Sequence, residues 1–459
     1  MYFQADLTLT GLCQFPTLGF VVDRYFRVQN FKPEPFWSVE VTHKRDDINV
    51  IFNWKRNRLF DRAVVVILFE RCITAKTAKV IKVQEKPTSK WKPLPLTTVE
   101  LQKNASRFLR MNSHEAMAVA EGLYQKGFIS YPRTETDRFD PGMNLRALVE
   151  KQTQDNRWGG FAQNLVNVSF KQPRQGSHDD KAHPPIHPVA YCAPANLNDQ
   201  EKRVYEFITR RFLACCSDDA KGQATDIDIL YGDEVFSAHG VVVLARNYLD
   251  VYPYENWTNS TTLPKFTIGE VFEPTEAMMT EGKTSGPSFL TEPDLIALMD
   301  ANGIGTDATM AEHINTIKTR DYVFTRPKGG GGGNHAPIPA RGVRRGRAAR
   351  AGRGGRGGGA ARGGDGGGVE EFIPSTLGVA LVDGYDKMEH EISLSKPFLR
   401  KEMELRMKDI CEGRLAGDAM LRESLRQYKR VFEQSKERLD LLKAVRNLML
   451  QSSQPFQSL

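Results

Sequence analysis

The chain has 459 residues, 40% of them hydrophobic, with 63 Lys and Arg against 56 Asp and Glu for a formal charge of +7; at about 100 to 200 residues per domain this length implies several domains rather than one core. No stretch approaches about 18 consecutive apolar residues and the opening MYFQADLTLT lacks a basic region followed by an apolar run, which speaks against a membrane-spanning helix or a secretory signal and predicts a soluble, intracellular protein. The six cysteines include no Cys-x-x-Cys pair, which excludes zinc-finger and disulfide-framework classes and predicts reduced, structural thiols.

In chain order, residues 1–30 contain CQFPTLGFVV, and residues 36–83 contain FWSVEVTH, INVIFNW and RAVVVILFERC, whose alternation and β-branched runs predict strands. Residues 97–215 are mostly helical in pattern. Within them NSHEAMAVAEGLYQKG sets Asn112 and Glu115 at capping-box spacing, Met117, Ala120 and Tyr124 on one face, and Gly127 as a stop. Residues 224–272, with ATDIDILYG, VFSAHGVVVLA and KFTIGEVFEP, return to strand patterning. A β segment that leaves, hosts a helical unit and comes back predicts an arch built from two separated pieces. Further on, GTDATMAEHINTIKTRDYV predicts a helix running toward a strand, FIPSTLGVALVDGYDKM resumes globular composition, and 395–450 reads as amphipathic helix.

Residues 328–368 interrupt that last part. They carry eight arginines and one lysine against Asp365, a local charge of +8, which leaves about −1 for the rest of the chain. Rich in glycine and poor in apolar side chains, the run cannot offset its own chain entropy and is expected to be disordered. It is either a tolerated solvated insertion or a sequence-independent contact between arginines and nucleic-acid phosphates.

The densest chemistry lies in GFISYPRTETDRF, residues 127–139. Tyr131 precedes Pro132, which steers its backbone toward extended geometry, so the ring projects from a constrained loop end. Most tyrosines only pack, and a free phenol, with a pKa of about 10, is a poor nucleophile at neutral pH. Arg133 changes the prospect: an always-charged guanidinium stabilises a phenolate and clamps a phosphate, and Glu135 is placed to orient it. Such a set suits attack on a phosphodiester, where charge builds on equatorial oxygens.

HDDKAHPPIHP offers His178, His183 and His187 beside Asp179 and Asp180. Pro184, Pro185 and Pro188 forbid the helix that would align two histidines on a metal, leaving a polar loop as the plain reading. In NGIGTDATMAEHINTIKTR, Gly303 and Gly305 permit close backbone approach just before a helix starting within 306–309, with Met310, Ile314 and Ile317 as its buried stripe. Unpaired amides at such a helix start favour an anion.

GFISYPRTET closely resembles the active-site motif of type IA DNA topoisomerases, nearest the topoisomerase III alpha kind. CQFPTLGFVV, KAHPPIHP, LTEPDLIALMDANGIGTDATMAEHI and LGVALVDGYD resemble further stretches of that family in its order. The resemblance covers nearly everything except the Arg/Gly-rich run. It implies an α+β multidomain body: 1–30 as part of a helical base domain, 31–96 and 216–287 as the two segments of a β arch, 97–215 as a helical nucleophile domain, and 288–327 with 369–459 as the rest of the base. It also implies the chemistry. Tyr131 attacks one DNA strand to form a 5′-phosphotyrosyl link, with Arg133 as the nearby cation; another strand passes and the cut is resealed without ATP. By the same resemblance His183, Gly303, Gly305, Thr309 and Glu135 belong to the DNA contacts, with Thr309 at a phosphate, while His187 acquires no role. Gln14, Pro16 and Thr17 match a stretch near the bound strand, although packing explains them as well.

The family's toprim domain supplies a glutamate acid/base and a D-x-D triplet for Mg²⁺. No such triplet stands in a strand-turn setting here, DIDI at 226–229 being explained by strand alternation, and no paired-cysteine array follows at the end. The chain is therefore expected to lack the toprim ligands for Mg²⁺, and, since general acid help contributes roughly 10² to 10⁴ in rate, to relax DNA poorly as it stands. Implied partners are single-stranded DNA, a RecQ-type helicase and an OB-fold accessory protein that unlink recombining DNA, at a nuclear site with a mitochondrial one left open. RNA as a substrate stays open, as does a different class: a non-catalytic single-strand binder that uses the Arg/Gly-rich segment.

Overall fold

The computed structural model describes residues 13–258, 263–328, 369–387, 395–438 and 440. Residues 329–368 of the Arg/Gly-rich run and the end of the expected C-terminal helix, 441–450, lie outside them.

Helix α1 (Gln14–Gln29) leads into strands β1 (Pro35–Arg45) and β2 (Ile48–Trp54), helix α2 (Arg62–Ala75) and the long strand β3 (Ala78–Lys90). Helices α3 (Thr98–Phe108), α4 (Ser113–Gln125), α5 (Leu145–Lys151), α6 (Gly159–Asn164) and α7 (Asp199–Cys215) follow. Strands β4 (Ala220–Tyr231), β5 (Glu234–Ala245), β6 (Val271–Phe272) and β7 (Glu276–Lys283) come next. Helices α8 (Glu292–Ala301) and α9 (Met310–Thr319), strands β8 (Val323–Pro327) and β9 (Glu370–Pro374), and helices α10 (Thr376–Lys387), α11 (Phe398–Cys411) and α12 (Gly417–Glu437) complete the described chain.

These elements form two compact units. One takes its described residues from Met1–Phe26, Gln102–His114 and Phe289–Leu459, the other from Arg27–Leu101 and Glu115–Ser288. Gln102–His114 thus groups with the first unit, whereas helical patterning alone placed it inside the block 97–215.

In the second unit the two β segments join in one antiparallel seven-stranded sheet, ordered β6-β3-β4-β5-β2-β1-β7. β3 pairs with β4 from Ala78↔Tyr231 to Lys90↔Ala220. The chain between them, with its helices, therefore leaves and re-enters the sheet at facing residues. Alternate strand residues, among them Val39, Val41, Val50, Phe52, Ile227 and Ile229, turn inward and are buried together.

RAVVVILFERC, expected as strand, is instead helix α2. The Asp61 carboxylate accepts the amides of Ala63 at 2.9 Å and Val64 at 3.3 Å and caps its start. Val65 and Cys72 are buried and Leu68 and Phe69 half-buried against the sheet, an i, i+3, i+4, i+7 stripe. A short continuous apolar run fits either period, and here burial of that stripe outweighs β-branched propensity.

In the first unit α1 buries Phe15, Leu18, Val21 and Val22, with the Phe15 ring edge-on to Tyr385 at 4.7 Å. β8 and β9 pair from Val323↔Pro374 to Pro327↔Glu370, and the Lys328 amide donates to the Val369 carbonyl at 2.8 Å. The run 329–368 therefore departs and returns at bonded neighbours. For a connection between bonded neighbours, each halving of length returns about 0.6 kcal/mol. Replacing 329–368 by Asn-Gly, a two-residue hairpin turn, should raise stability by about 2.5 kcal/mol in denaturant melts. The same replacement removes eight arginines and Asp365, the whole formal excess of positive charge, and should flatten the salt dependence of any nucleic-acid binding.

Candidate active site

The tyrosine loop is set up by the end of α4. Gly127 has φ +77°, its amide donates to the Tyr124 carbonyl at 2.8 Å, and the Phe128 amide donates to Leu123 at 3.0 Å. This double closure is a Schellman stop, and the left-handed φ is why a glycine stands there. The chain then runs extended against the histidine loop. Ile129 bridges Pro188, the Ser130 amide donates to the His187 carbonyl at 2.9 Å, and the His187 amide donates to Ser130 Oγ at 3.0 Å.

Thr98, at the start of α3 and wholly buried, pins the next turn. Its hydroxyl donates to the Pro132 carbonyl at 2.8 Å and accepts the Thr134 amide at 2.7 Å, while its own amide donates to the Thr134 carbonyl at 3.1 Å. Thr98→Val keeps the shape but leaves the buried Thr134 amide unbonded, so it should cost about 1 to 3 kcal/mol in chemical denaturation. Thr98→Ser should restore most of that loss.

Tyr131 sits half-buried between two rings, edge-on to Tyr124 at 5.2 Å and tilted against His183 at 4.8 Å. Among the described residues its hydroxyl has no hydrogen-bond partner. Arg133 is held by α4: its Nε donates to Glu121 Oε1 at 2.8 Å, and Nη2 pairs with the same oxygen. Glu121 and Tyr124 are one turn apart on α4, so a single helix face backs both the phenol and the guanidinium. The sequence offered Glu135 as the residue to orient Arg133; Glu121, which it did not offer, is bonded to Nε. The signal was available in the i, i+3 spacing of Glu121 to Tyr124, once the loop is known to fold back along its own helix.

The segment HDDKAH closes over the same loop. His178 Nδ1 contacts Asp137 Oδ2 at 3.0 Å, Arg138 Nε donates to Asp179 Oδ2 at 3.2 Å, and the Asp180 amide donates to Thr136 Oγ1 at 3.1 Å. Three successive residues therefore stitch onto 136–138. His187 is 3% exposed and its Nδ1 donates to the Pro185 carbonyl at 2.7 Å; burial pulls its pKa below the usual histidine value, leaving a neutral structural residue. Among the described residues no three His, Cys, Asp or Glu side chains converge on a metal position. The groups gathered at this loop are the Tyr131 phenol, the Arg133 guanidinium, the His183 imidazole and the Asp180 carboxylate.

The remaining candidates lie in the first unit. Gly303 and Gly305 have φ of +63° and +82°, and a Cβ on Gly305 would lie 3.1 Å from His313 Cδ2 and 3.2 Å from Thr309 Oγ1. Thr309 is the residue before α9, and its hydroxyl accepts the Thr306 amide at 2.9 Å rather than capping the helix. Gln14 Oε1 accepts from Arg320 at 3.1 Å. Thr17 is fully buried, and its hydroxyl donates to the Cys13 carbonyl one turn back, at 2.6 Å. The structure thus gathers Tyr131, Arg133 and His183 in one unit, and Gln14, Thr17, Gly303, Gly305 and Thr309 in the other.

The model of the family described as DNA topoisomerase matches residues 2–329. DNA topoisomerase 3 of Schizosaccharomyces pombe is 46% identical over 434 residues, covering 94% of this chain and 64% of the relative. DNA topoisomerase 3-alpha of Homo sapiens is 47% identical over 422 residues, covering 92% of this chain and 38% of the relative. This chain therefore spans less than two thirds of the length of these curated relatives. The crystal structure of full-length topoisomerase I from Thermotoga maritima shares its fold with a TM-score of 0.66 at 20% identity, over 93% of this chain and 63% of that one. With a family model over most of its length, two eukaryotic relatives near half identity and a matching α+β body, the chain belongs to the DNA topoisomerase family, as a type IA, topoisomerase III-like member.

Proposed function

We propose that this chain carries the cleavage and resealing chemistry of a type IA topoisomerase on single-stranded DNA, with Tyr131 as nucleophile. The phenol gives up its proton as its oxygen bonds to phosphorus and the bond to the 3′ oxygen breaks; the downstream fragment is held on Tyr131 through its 5′ phosphate, and the departing 3′ oxygen takes up a proton, so the phenol's proton is replaced. Reversal reseals the strand. One phosphodiester is exchanged for another, so no ATP is consumed. Arg133 offsets charge on the non-bridging oxygens, and His183 contacts the phosphate. By the family resemblance, Mg²⁺ would be supplied through a toprim domain, whose D-x-D triplet in a strand-turn setting does not stand in this sequence. The Arg/Gly-rich run adds a sequence-independent nucleic-acid contact, and a RecQ-type helicase and an OB-fold protein act with the enzyme in recombination and repair in the nucleus.

The observation that carries this reading is the packing of the Tyr131 ring against His183 across two hydrogen-bonded loops, with Arg133, two residues on, held by Glu121. End-labelling tests it. Full-length protein carrying this sequence is mixed with single-stranded oligonucleotide and Mg²⁺ and quenched with detergent. A 3′ label should stay on the protein and a 5′ label should be released. The reverse polarity, or binding without any cut, would overturn the assignment, and preference for an RNA oligonucleotide would change the substrate.

A further inference from the structure

Of the acidic pair in HDDKAH, Asp179 is occupied by Arg138, while Asp180 reaches the site itself. Its Oδ1 accepts the amides of Ala182 and His183, both at 2.8 Å. Its Oδ2 accepts the Thr134 hydroxyl at 3.2 Å and faces His183 Nδ1 at 3.4 Å, a long contact of the kind unliganded catalytic sites often show. Burial pushes the Asp180 carboxyl up, but the His183 and Ala182 amides, with Thr136 and the His183 ring, outweigh it and bring it down to about 2. The group is ionised at any working pH and can only accept. An acceptor-only carboxylate facing Nδ1 selects the ring form that carries its proton there. Among the described residues Nε2 of His183 has no partner, and the ring lies 4.8 Å from that of Tyr131.

We propose that Asp180 is a positioning residue for His183, holding the imidazole in its Nδ1–H form so that Nε2 is the nitrogen offered to Tyr131 and the phosphate. The proposal deepens the reading of Tyr131 as nucleophile and rests on it. Sequence alone suggested Asp180 only as a metal ligand; tying the tyrosine loop to the histidine loop through one carboxylate is a different use of the same residue. A bound carboxylate that fixes a histidine's ring form acts here as such partners act on other reactive histidines.

Asp180→Asn separates positioning from mere bracing. The amide keeps an oxygen for the Ala182 and His183 amides but turns a donor toward Nδ1. Nitrogen-15 imidazole spectra of the histidine-labelled chain, with His183 assigned by its loss in His183→Ala, should show the Nδ1–H pattern in the parent and its loss in Asp180→Asn. His187, bonded to a carbonyl elsewhere in the loop, should keep its pattern in both and so report an intact fold. In full-length protein the substitution should lower covalent adduct by about 10- to 100-fold with oligonucleotide binding unchanged, and should cost nothing further in a His183→Ala background. An unchanged His183 spectrum in Asp180→Asn would overturn the proposal, as would an undiminished loss in the His183→Ala background. If Tyr131→Phe still forms adduct, the nucleophile assignment fails, and the spectra still decide the proposal. If Tyr131→Phe is inactive while Asp180→Asn behaves as the parent, the proposal alone fails.

Discussion

Tyr131→Phe is expected to abolish covalent DNA adduct, lowering strand cleavage by about 10³-fold or more, the scale on which losing a nucleophile is felt. The fold should hardly notice. The hydroxyl has no partner among the described residues, and the ring keeps its contacts with Tyr124 and His183. The change in unfolding free energy should stay within about 0.5 kcal/mol, as for surface substitutions away from special features. Noncovalent binding of single strands should persist, because phosphate contacts rather than the phenol supply most affinity. A denaturing gel with end-labelled oligonucleotide, run beside a melt and a binding titration, separates these outcomes. Adduct retained at parental levels would point to another nucleophile, and unchanged binding with no parental adduct would favour the non-catalytic class.

Arg133→Ala should cost about 10² to 10³ in cleavage, the usual effect of deleting one preorganised donor at a developing anion. Arg133→Lys should recover only part of it. The charge remains, but Glu121 grips Nε and Nη2 together, and a lysine has no planar fork to be held that way. Stability should fall by less than about 1 kcal/mol in either case, since both partners of the pair are about a third exposed and solvent screens them. Single-turnover cleavage at saturating oligonucleotide reads the effect on the chemical step. A lysine variant as fast as the parent would mean that charge alone matters and that the Glu121 clamp is incidental.

Much of this site was legible before any coordinates. The stop at Gly127, the exit of Tyr131 before a proline and the place of Arg133 two residues on are local facts, and local rules reach them. The prolines of PPIHP excluded a helical metal site, and the structure spends His178 and Asp179 on Asp137 and Arg138 instead. What escaped was tertiary. Thr98 acts on a carbonyl 34 residues along the chain and Asp180 on a hydroxyl 46 residues back, separations at which no periodicity gives a signal. His187 had no role for the same reason: only burial against Pro185 shows that it is structural. The run at α2 failed differently. Its β-branched residues favour strand, and only the Asp61 cap and the Val65, Leu68, Phe69, Cys72 stripe mark it as helix.

The most direct test of the central claim is to locate the bond. Full-length protein carrying this sequence is trapped on single-stranded DNA with detergent, digested with nuclease and protease, and mapped by mass spectrometry. The account predicts a nucleotide remnant joined through its 5′ phosphate to the peptide containing Tyr131 and to no other peptide. A remnant on Tyr124 or on any other residue, or cleaved DNA with an unmodified Tyr131 peptide, would contradict it.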